Sequence, residues 1–424
     1  MTPRAVRARA DAFAALLAAA ALVLAAARPA RAGSEEFSTF SVEAQEEDDE
    51  STIDHLLARP PREWAREWER APLAVRTSQA CLTSGQWLDQ TELKLRAPLG
   101  RSAFFGLDLA QERDDQVDYQ YLDFSFHFPT RLGTAVGMFR PFHDKSRQDF
   151  AFMWDVGSDT SAFQLRLVAG LEDMFNNLWA FRQSRVGGVS EPYLRHPYEP
   201  GLRMVVRRPW LRAEVGGRYL TPGTKRLSAL GNPGVTSLAK LWGTRAWASV
   251  ETRALGLDWE VRSTNHQAAS SEAPVAQPKP DNRDFRRQWT IETAASRRLT
   301  PRFTAELRWL YQERTQIHAP PFGPRTFAGV DRVLQAEGRW RPNQRLAMRL
   351  GAMVDRITIT QTGAPSPVVL PTYGTRKESR AYLGLIARFG RVSVQGVEGF
   401  ELDHEPYEVT LWHDKGFLQL QSTF

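Results

Sequence analysis

The side chains best able to do chemistry in this sequence are charged and fall at alternate positions. Arg166, Arg203, Arg207, Arg212 and Arg218 sit between apolar neighbours such as Leu165, Leu167, Leu202, Val206 and Ala213. Arg308, Arg339, Arg349 and Arg388 repeat that arrangement later, with Glu306, Glu337 and Asp355 interleaved. An earlier stretch carries Asp108, Asp118, Asp123, Asp149 and Asp155. A guanidinium group is a planar fork that grips a carboxylate or phosphate by two bonds at once. Arginines along one face therefore form a surface for oxyanions, and an acidic arc facing basic arcs sets up a transverse field. The same residues paired across strands would instead neutralise one another and brace a wall. Both readings stay open on sequence.

Ser125, His127 and Asp123 share one face at i,i+2 spacing. A nucleophile and its base must lie within hydrogen-bond reach. Alternate strand residues stand about 7 Å apart at Cβ, so these three are read as polar wall, and no catalytic residue is assigned. The chain contains no H-E-x-x-H, G-x-S-x-G or P-loop motif, and the expectation is a protein that is not an enzyme. His196, His266, His318, His404 and His413 lack metal-ligand spacing. Cys81 is the sole cysteine, which excludes an intrachain disulfide and a cysteine metal site. No metal and no cofactor are expected.

The elements that would position these charges are strands. Thr91, Leu93, Leu95 and Ala97 alternate with Glu92, Lys94 and Arg96; Leu255, Leu257, Trp259 and Val261 with Asp258, Glu260 and Arg262; Leu334, Ala336, Gly338 and Trp340 with Gln335, Glu337 and Arg339. Phe303 to Gln312 alternates as well, with Leu310 the one exception. A period of two sorts residues onto two faces of a strand and scatters them around a helix. The runs of about 10 to 14 residues are long for a soluble sheet. Trp242, Trp289, Trp309, Trp340 and Phe389 fall where aromatic girdles would. Short turns (98–100, 129–131, 158–160, 208–209, 299–301, 342–343, 390–391) interleave with long loops (172–200, 220–240, 266–286, 316–329, 361–377). At Tyr121–Leu122 the apolar face slips by one, as at a β-bulge or an aromatic patch facing inward. The fold class expected is all-β: a transmembrane antiparallel barrel of about 18 strands, between 16 and 20. A mean hydropathy of −0.43 with 25% charged residues is incompatible with a bundle of membrane helices and natural for a barrel.

The ends differ in kind. Residues 1–32 read as a signal peptide: basic Arg4, Arg7 and Arg9, an apolar run from Phe13 to Ala27, and cleavage after Ala30-Arg31-Ala32. Residues 33–71 carry twelve acids against four bases and read as a periplasmic tail or a plug. The barrel is assigned to 72–424. The net charge of +6 resides largely in the leader, so nucleic acid is not an expected partner.

At the C-terminus Leu418, Leu420 and Phe424 share one face, with Gln419 and Gln421 on the other. This pattern resembles the closing strand of Gram-negative outer-membrane barrels; Ser422 departs from it, standing where an aromatic or aliphatic residue is common. The resemblance implies an outer-membrane location, lipid against the outer wall, and Leu418, Leu420 and Phe424 as the signal read by the barrel-assembly machinery. It implies a porin-like channel passing small hydrophilic solutes, with an anionic bias from the Arg-rich lumen. An export barrel for an acidic polysaccharide and an outer-membrane enzyme are the alternatives. General porins are often trimers, so an oligomer is compatible with the resemblance, as is a monomer. In general porins one loop narrows the pore. Loop 172–200, with Phe175, Trp179, Phe181, Tyr193 and Tyr198, is the segment that could do so here.

Overall fold

The computed structural model describes residues 67, 71–81, 87–100, 103–113, 118–142, 148–157, 161–172, 189–190, 193–229, 236–275, 282–318, 325–363, 374–402 and 413–424. Residues 1–32, read as a signal peptide, and the acidic segment 33–71 lie outside these residues, apart from Glu67 and Ala71.

The strands run in chain order. They are β1 (Leu73–Cys81), β2 (Trp87–Leu99), β3 (Ala103–Arg113), β4 (Asp118–Thr130), β5 (Gly133–Phe142), β6 (Gln148–Val156), β7 (Phe163–Glu172), β8 (Val189–Ser190), β9 (Tyr193–Arg195) and β10 (Tyr198–Arg208). They continue as β11 (Leu211–Ala229), β12 (Thr236–Ala254), β13 (Leu257–Pro274), β14 (Asn282–Thr300), β15 (Phe303–His318), β16 (Arg325–Trp340), β17 (Leu346–Gly363), β18 (Gly374–Phe389), β19 (Val392–Glu401) and β20 (His413–Thr423). Each pairs antiparallel with its chain neighbour, except that β7 pairs with β10 and skips the short β8 and β9. β20 pairs with both β19 and β1, and the Phe424 amide donates to the Leu73 carbonyl at 2.8 Å. The sheet thus closes into a barrel of 18 strands.

The two faces carry opposite chemistry. Leu307, Leu334, Leu350, Leu383 and Leu418 lie roughly half exposed or more on the outside, while Glu292, Arg308, Glu337, Arg349 and Gln395 on the inside are buried. A water-soluble core has the reverse arrangement; an apolar exterior suits a barrel set in hydrocarbon. Trp340 and Phe389 mark the short-turn end of the outer wall. Trp289 stands 11 residues above Thr300 on β14 and packs edge-on against Tyr311. At about 3.3 Å per residue and a tilt near 45°, that separation is about 25 Å, the height of an apolar belt.

Three sequence expectations are corrected. Most of 220–240, 266–286 and 316–329, and both ends of 361–377, are strand, not loop, because β11 to β18 run for 16 to 19 residues. About 9 to 11 residues cross the hydrocarbon. Beyond it both faces are wet, so the alternation fades while the ladder continues. Leu255 is not on a strand face: with Gly256 it forms a two-residue turn between β12 and β13, both at positive φ (56° and 75°). The β4–β5 register shifts between Leu122 and Phe124 with the extra residue on β5, while β4 keeps one register with β3 from Asp118 to His127, so the slip near Leu122 is a change of residue type along an unbroken strand. Phe126 and Phe128 are exposed on the outer face, and Phe126 belongs to an outer ladder that runs through Phe105, Phe124, Phe139 and Phe150.

In the 172–200 loop, β8 and β9 pair with the outer extension of β11 (Ser190 with Ser228, Arg195 with Thr224). Tyr193 and Tyr198 therefore sit on sheet extensions, and the described residues of this loop pair with the wall instead of taking the inward fold open to it on sequence. Phe175, Trp179 and Phe181 lie outside them.

Candidate functional site: the arginine wall of the barrel interior

The inner faces of β7 and β10 to β13 surround a recess of about 560 Å³. Strand parity builds it. Arg166 and Val168 come from β7, Arg203 from β10, Arg212, Glu214 and Arg218 from β11. Arg245, Trp247 and Glu251 come from β12, Arg262 and Thr264 from β13. Six arginines meet two glutamates in this lining.

Most of the guanidiniums are held. Arg166 makes a two-pronged bond to Asp155 on β6 (2.5 and 2.7 Å), and Arg203 does the same to Glu214 (2.7 and 2.8 Å). Arg212 bridges Glu251 at 2.8 Å and Glu214 at 3.4 Å. Arg218 reaches Glu199 at 3.3 Å, and Arg262 reaches Glu260 at 2.5 Å. Paired forks of this kind fix both partners in direction as well as charge.

Trp247 stands directly opposite Gly216 on β11. A Cβ at position 216 would overlap the indole ring, so the bare backbone lets the ring lie across the neighbouring strand. Its N–H donates to Glu214 Oε1 at 3.1 Å, which pins the ring in place.

A second inner cluster spans β14 to β18. Glu337 accepts from Arg339 at 3.0 Å, from Arg349 at 2.7 Å and from the Tyr382 hydroxyl at 2.8 Å. Gln335 donates to the same hydroxyl at 2.8 Å. Arg308 pairs with Glu292 and, at 2.5 Å, with Glu306. Tyr382 also joins Leu310, Val333, Met353 and Val397 in an apolar patch on the inner wall, with Phe417 against it. Leu310, the break in the alternation, is an inward residue of that patch.

Of the other sequence-assigned residues, Arg207 bonds Gln164 at 2.9 Å, and Arg388 pairs with Glu67 at 2.8 Å. Asp108 lies in register with Lys94 on one side and Asp123 on the other. Asp118, Asp123 and Asp149 lie on strands, and their side chains fall outside the described residues. Leu418 and Leu420 are on β20, paired with Gln79 and Thr77 of β1. Sequence reasoning did not assign Glu199, Glu251 and Glu292 to the wall. They sit on strands with visible alternation, but their roles depend on register.

One proximity differs from the sequence expectation. His127 Nε2 lies 3.1 Å from Ser125 Oγ. The side chains lean toward each other along the strand, because Gly106 opposite Ser125 leaves the space open and Phe104 stacks on the imidazole at 3.9 Å. Among the described residues, no group of three or more His, Cys, Asp or Glu is arranged to hold a metal ion.

A closed ring of strands, an apolar belt outside and a charged wall inside settle the architecture. This is a transmembrane β-barrel of the outer-membrane type. No protein-family model and no curated protein matches the sequence. Solved barrels match it in structure. CdiB from Escherichia coli does so with a TM-score of 0.44 and 13% identity, over 83% of this chain and 63% of that one. OmpT of Vibrio cholerae in its trimer form matches with a TM-score of 0.40 and 10% identity, over 83% and 98%. A bacterial polysaccharide outer-membrane secretin matches with a TM-score of 0.39 and 11% identity, over 83% and 97%. The barrel chain thus spans less than two thirds of the CdiB length.

Proposed function

We propose that the barrel is a passive channel for small hydrophilic solutes, with a preference for anions. The observation that supports this reading is the recess, where six guanidiniums line the wall a passing solute would touch and five carboxylates pair with them, which leaves Arg245 as a surplus positive charge. Rings of charged side chains set ion selectivity by their fixed field. In this reading the outer wall sits in lipid, the closing strand serves barrel assembly, and the Ser125–His127 contact braces the wall without catalysing a reaction. The test is conductance of the purified protein in a planar bilayer under a potassium chloride gradient. A reversal potential of the sign for chloride preference is expected. A closed barrel, or potassium preference, overturns the proposal.

Export of an acidic polysaccharide is a second reading. The extent of the recess across five strands favours it, since several sugar residues would fit side by side. Block of the chloride current by a uronic-acid oligomer but not by its monomer would select this reading over the first.

A further inference from the structure

Within the recess, Arg245 differs from its neighbours. Arg166, Arg203, Arg212, Arg218 and Arg262 each have a carboxylate within 3.3 Å. Among the described residues, no carboxylate pairs with Arg245. Its cross-strand neighbours make the imbalance sharper. It stands directly opposite Arg218 on β11 and directly opposite His266 on β13. Residues at opposite positions have Cβ atoms about 5 Å apart, and like charges there repel. The rung continues through Gln288 on β14 to Arg314 on β15, so five consecutive inward positions carry a hydrogen-bond donor and none carries an acid.

The next inward position on β12 is Trp247. Its ring is fixed by the Glu214 bond and by the space over Gly216. A flat apolar surface is therefore held on the same inward face as two guanidiniums of which only Arg218 has a counter-ion, Glu199 at 3.3 Å.

We propose that Arg218 and Arg245 form a discrete binding site for an organic oxyanion. Its carboxylate or phosphate bridges the two guanidiniums, and its carbon skeleton lies on the Trp247 indole. The bound anion relieves the Arg–Arg repulsion, and the charge-assisted bonds it accepts are of the strong class. The inference rests on the reading of the recess as a wall that solutes touch. It goes beyond that reading by replacing a diffuse field with one saturable site and a ligand class.

The experiment is calorimetric titration of the full-length protein in detergent with sodium benzoate and, separately, inorganic phosphate. Both saturate one site in the unaltered protein, benzoate more tightly. Arg245→Gln weakens both by about tenfold or more, the loss of one strong charged contact. Trp247→Leu weakens benzoate and leaves phosphate in place. Arg253→Gln, an exposed arginine of the same strand paired with Asp258, changes neither. The resistance of each variant barrel to heat in detergent reports folding. Equal binding by the Arg245→Gln and unaltered proteins overturns the site, as does the absence of saturable binding. Arg245-dependent binding in a protein that conducts no current supports the site and defeats only the channel reading.

Discussion

The two inner walls are built from the same residue types and end in different states. Around β15 to β18, Glu337 is shared by Arg339, Arg349 and Tyr382, and Arg349 is left with a side-chain exposure of 5%. Around β11 and β12, Arg212 pairs with two glutamates and still keeps 40% of its side chain in the open. The first wall is packed: an apolar patch of Leu310, Val333, Met353 and Val397 lies beside the ion pairs. The second has buried inward apolar residues, Val168, Val205 and Leu220, but among the described residues they form no cluster of that kind, and its largest ring, Trp247, lies flat over a glycine. Arginine content alone thus does not decide whether a wall binds solute. Whether inward apolar residues pack against the ion pairs, and whether every guanidinium has a carboxylate, decides whether guanidiniums become struts or ligands.

The strongest way to break this comparison is to remove the shared acid of the packed wall. Glu337→Gln leaves Arg339 and Arg349 without their carboxylate, and unpaired charges in a buried setting cost about 3 to 5 kcal/mol. The expected outcome is a barrel that unfolds at markedly lower temperature, read by the heat-dependent shift in electrophoretic mobility. The equivalent change in the open wall, Glu251→Gln, touches only a half-exposed pair. It should cost less than about 1 kcal/mol. Equal losses at the two positions would show that the walls do not differ in kind.

A smaller change sharpens the same contrast. Tyr382→Phe keeps the ring over Gly351 and removes the hydroxyl that links Gln335 to Glu337. Two hydrogen bonds are lost, one of them to a charge, for about 1 to 3 kcal/mol. Thermal unfolding should fall by less than for Glu337→Gln, with the anion preference of the channel unchanged. A shift in reversal potential would place the packed wall in the conduction path after all.

Much of this was legible in the sequence, and the gaps have physical causes. Turns at Arg208-Pro209, Pro342-Asn343 and Gly390-Arg391 could be read because Pro, Asn and Gly punctuate strands. Leu255-Gly256 could not, because a leucine in the left-handed region looks like one more apolar strand residue. The inward placement of Arg203, Arg212, Arg308 and Arg349 followed from parity. Their partners did not, because pairing depends on register, and register depends on the residue count of each turn. Gly216 and Trp247 are 31 positions apart and meet only once β11 and β12 are aligned. Leu310 was visible as an exception; its meaning needed Val333 and Met353 beside it. The outer halves of β11 to β14 were hidden because water on both faces removes the alternation that marks a strand.

The smallest effect concerns a position that touches neither wall. Leu255 closes the β12–β13 hairpin at φ 56°, with Gly256 at φ 75°, and its side chain is almost fully exposed. Both central residues of such a turn require positive φ, a conformation that Asn adopts readily and a γ-branched side chain does not. Leu255→Asn should therefore relieve strain with no loss of packing within the barrel, a gain of about 0.5 to 1 kcal/mol. The turn carries β12, and with it Arg245 and Trp247, so a firmer hairpin tests whether the open wall is open by composition or by looseness. If composition decides, the variant unfolds at a slightly higher temperature and binds benzoate as before. If benzoate binding changes along with stability, the recess owes its shape to hairpin mobility, and the distinction drawn from packing and guanidinium pairing would fail for this wall.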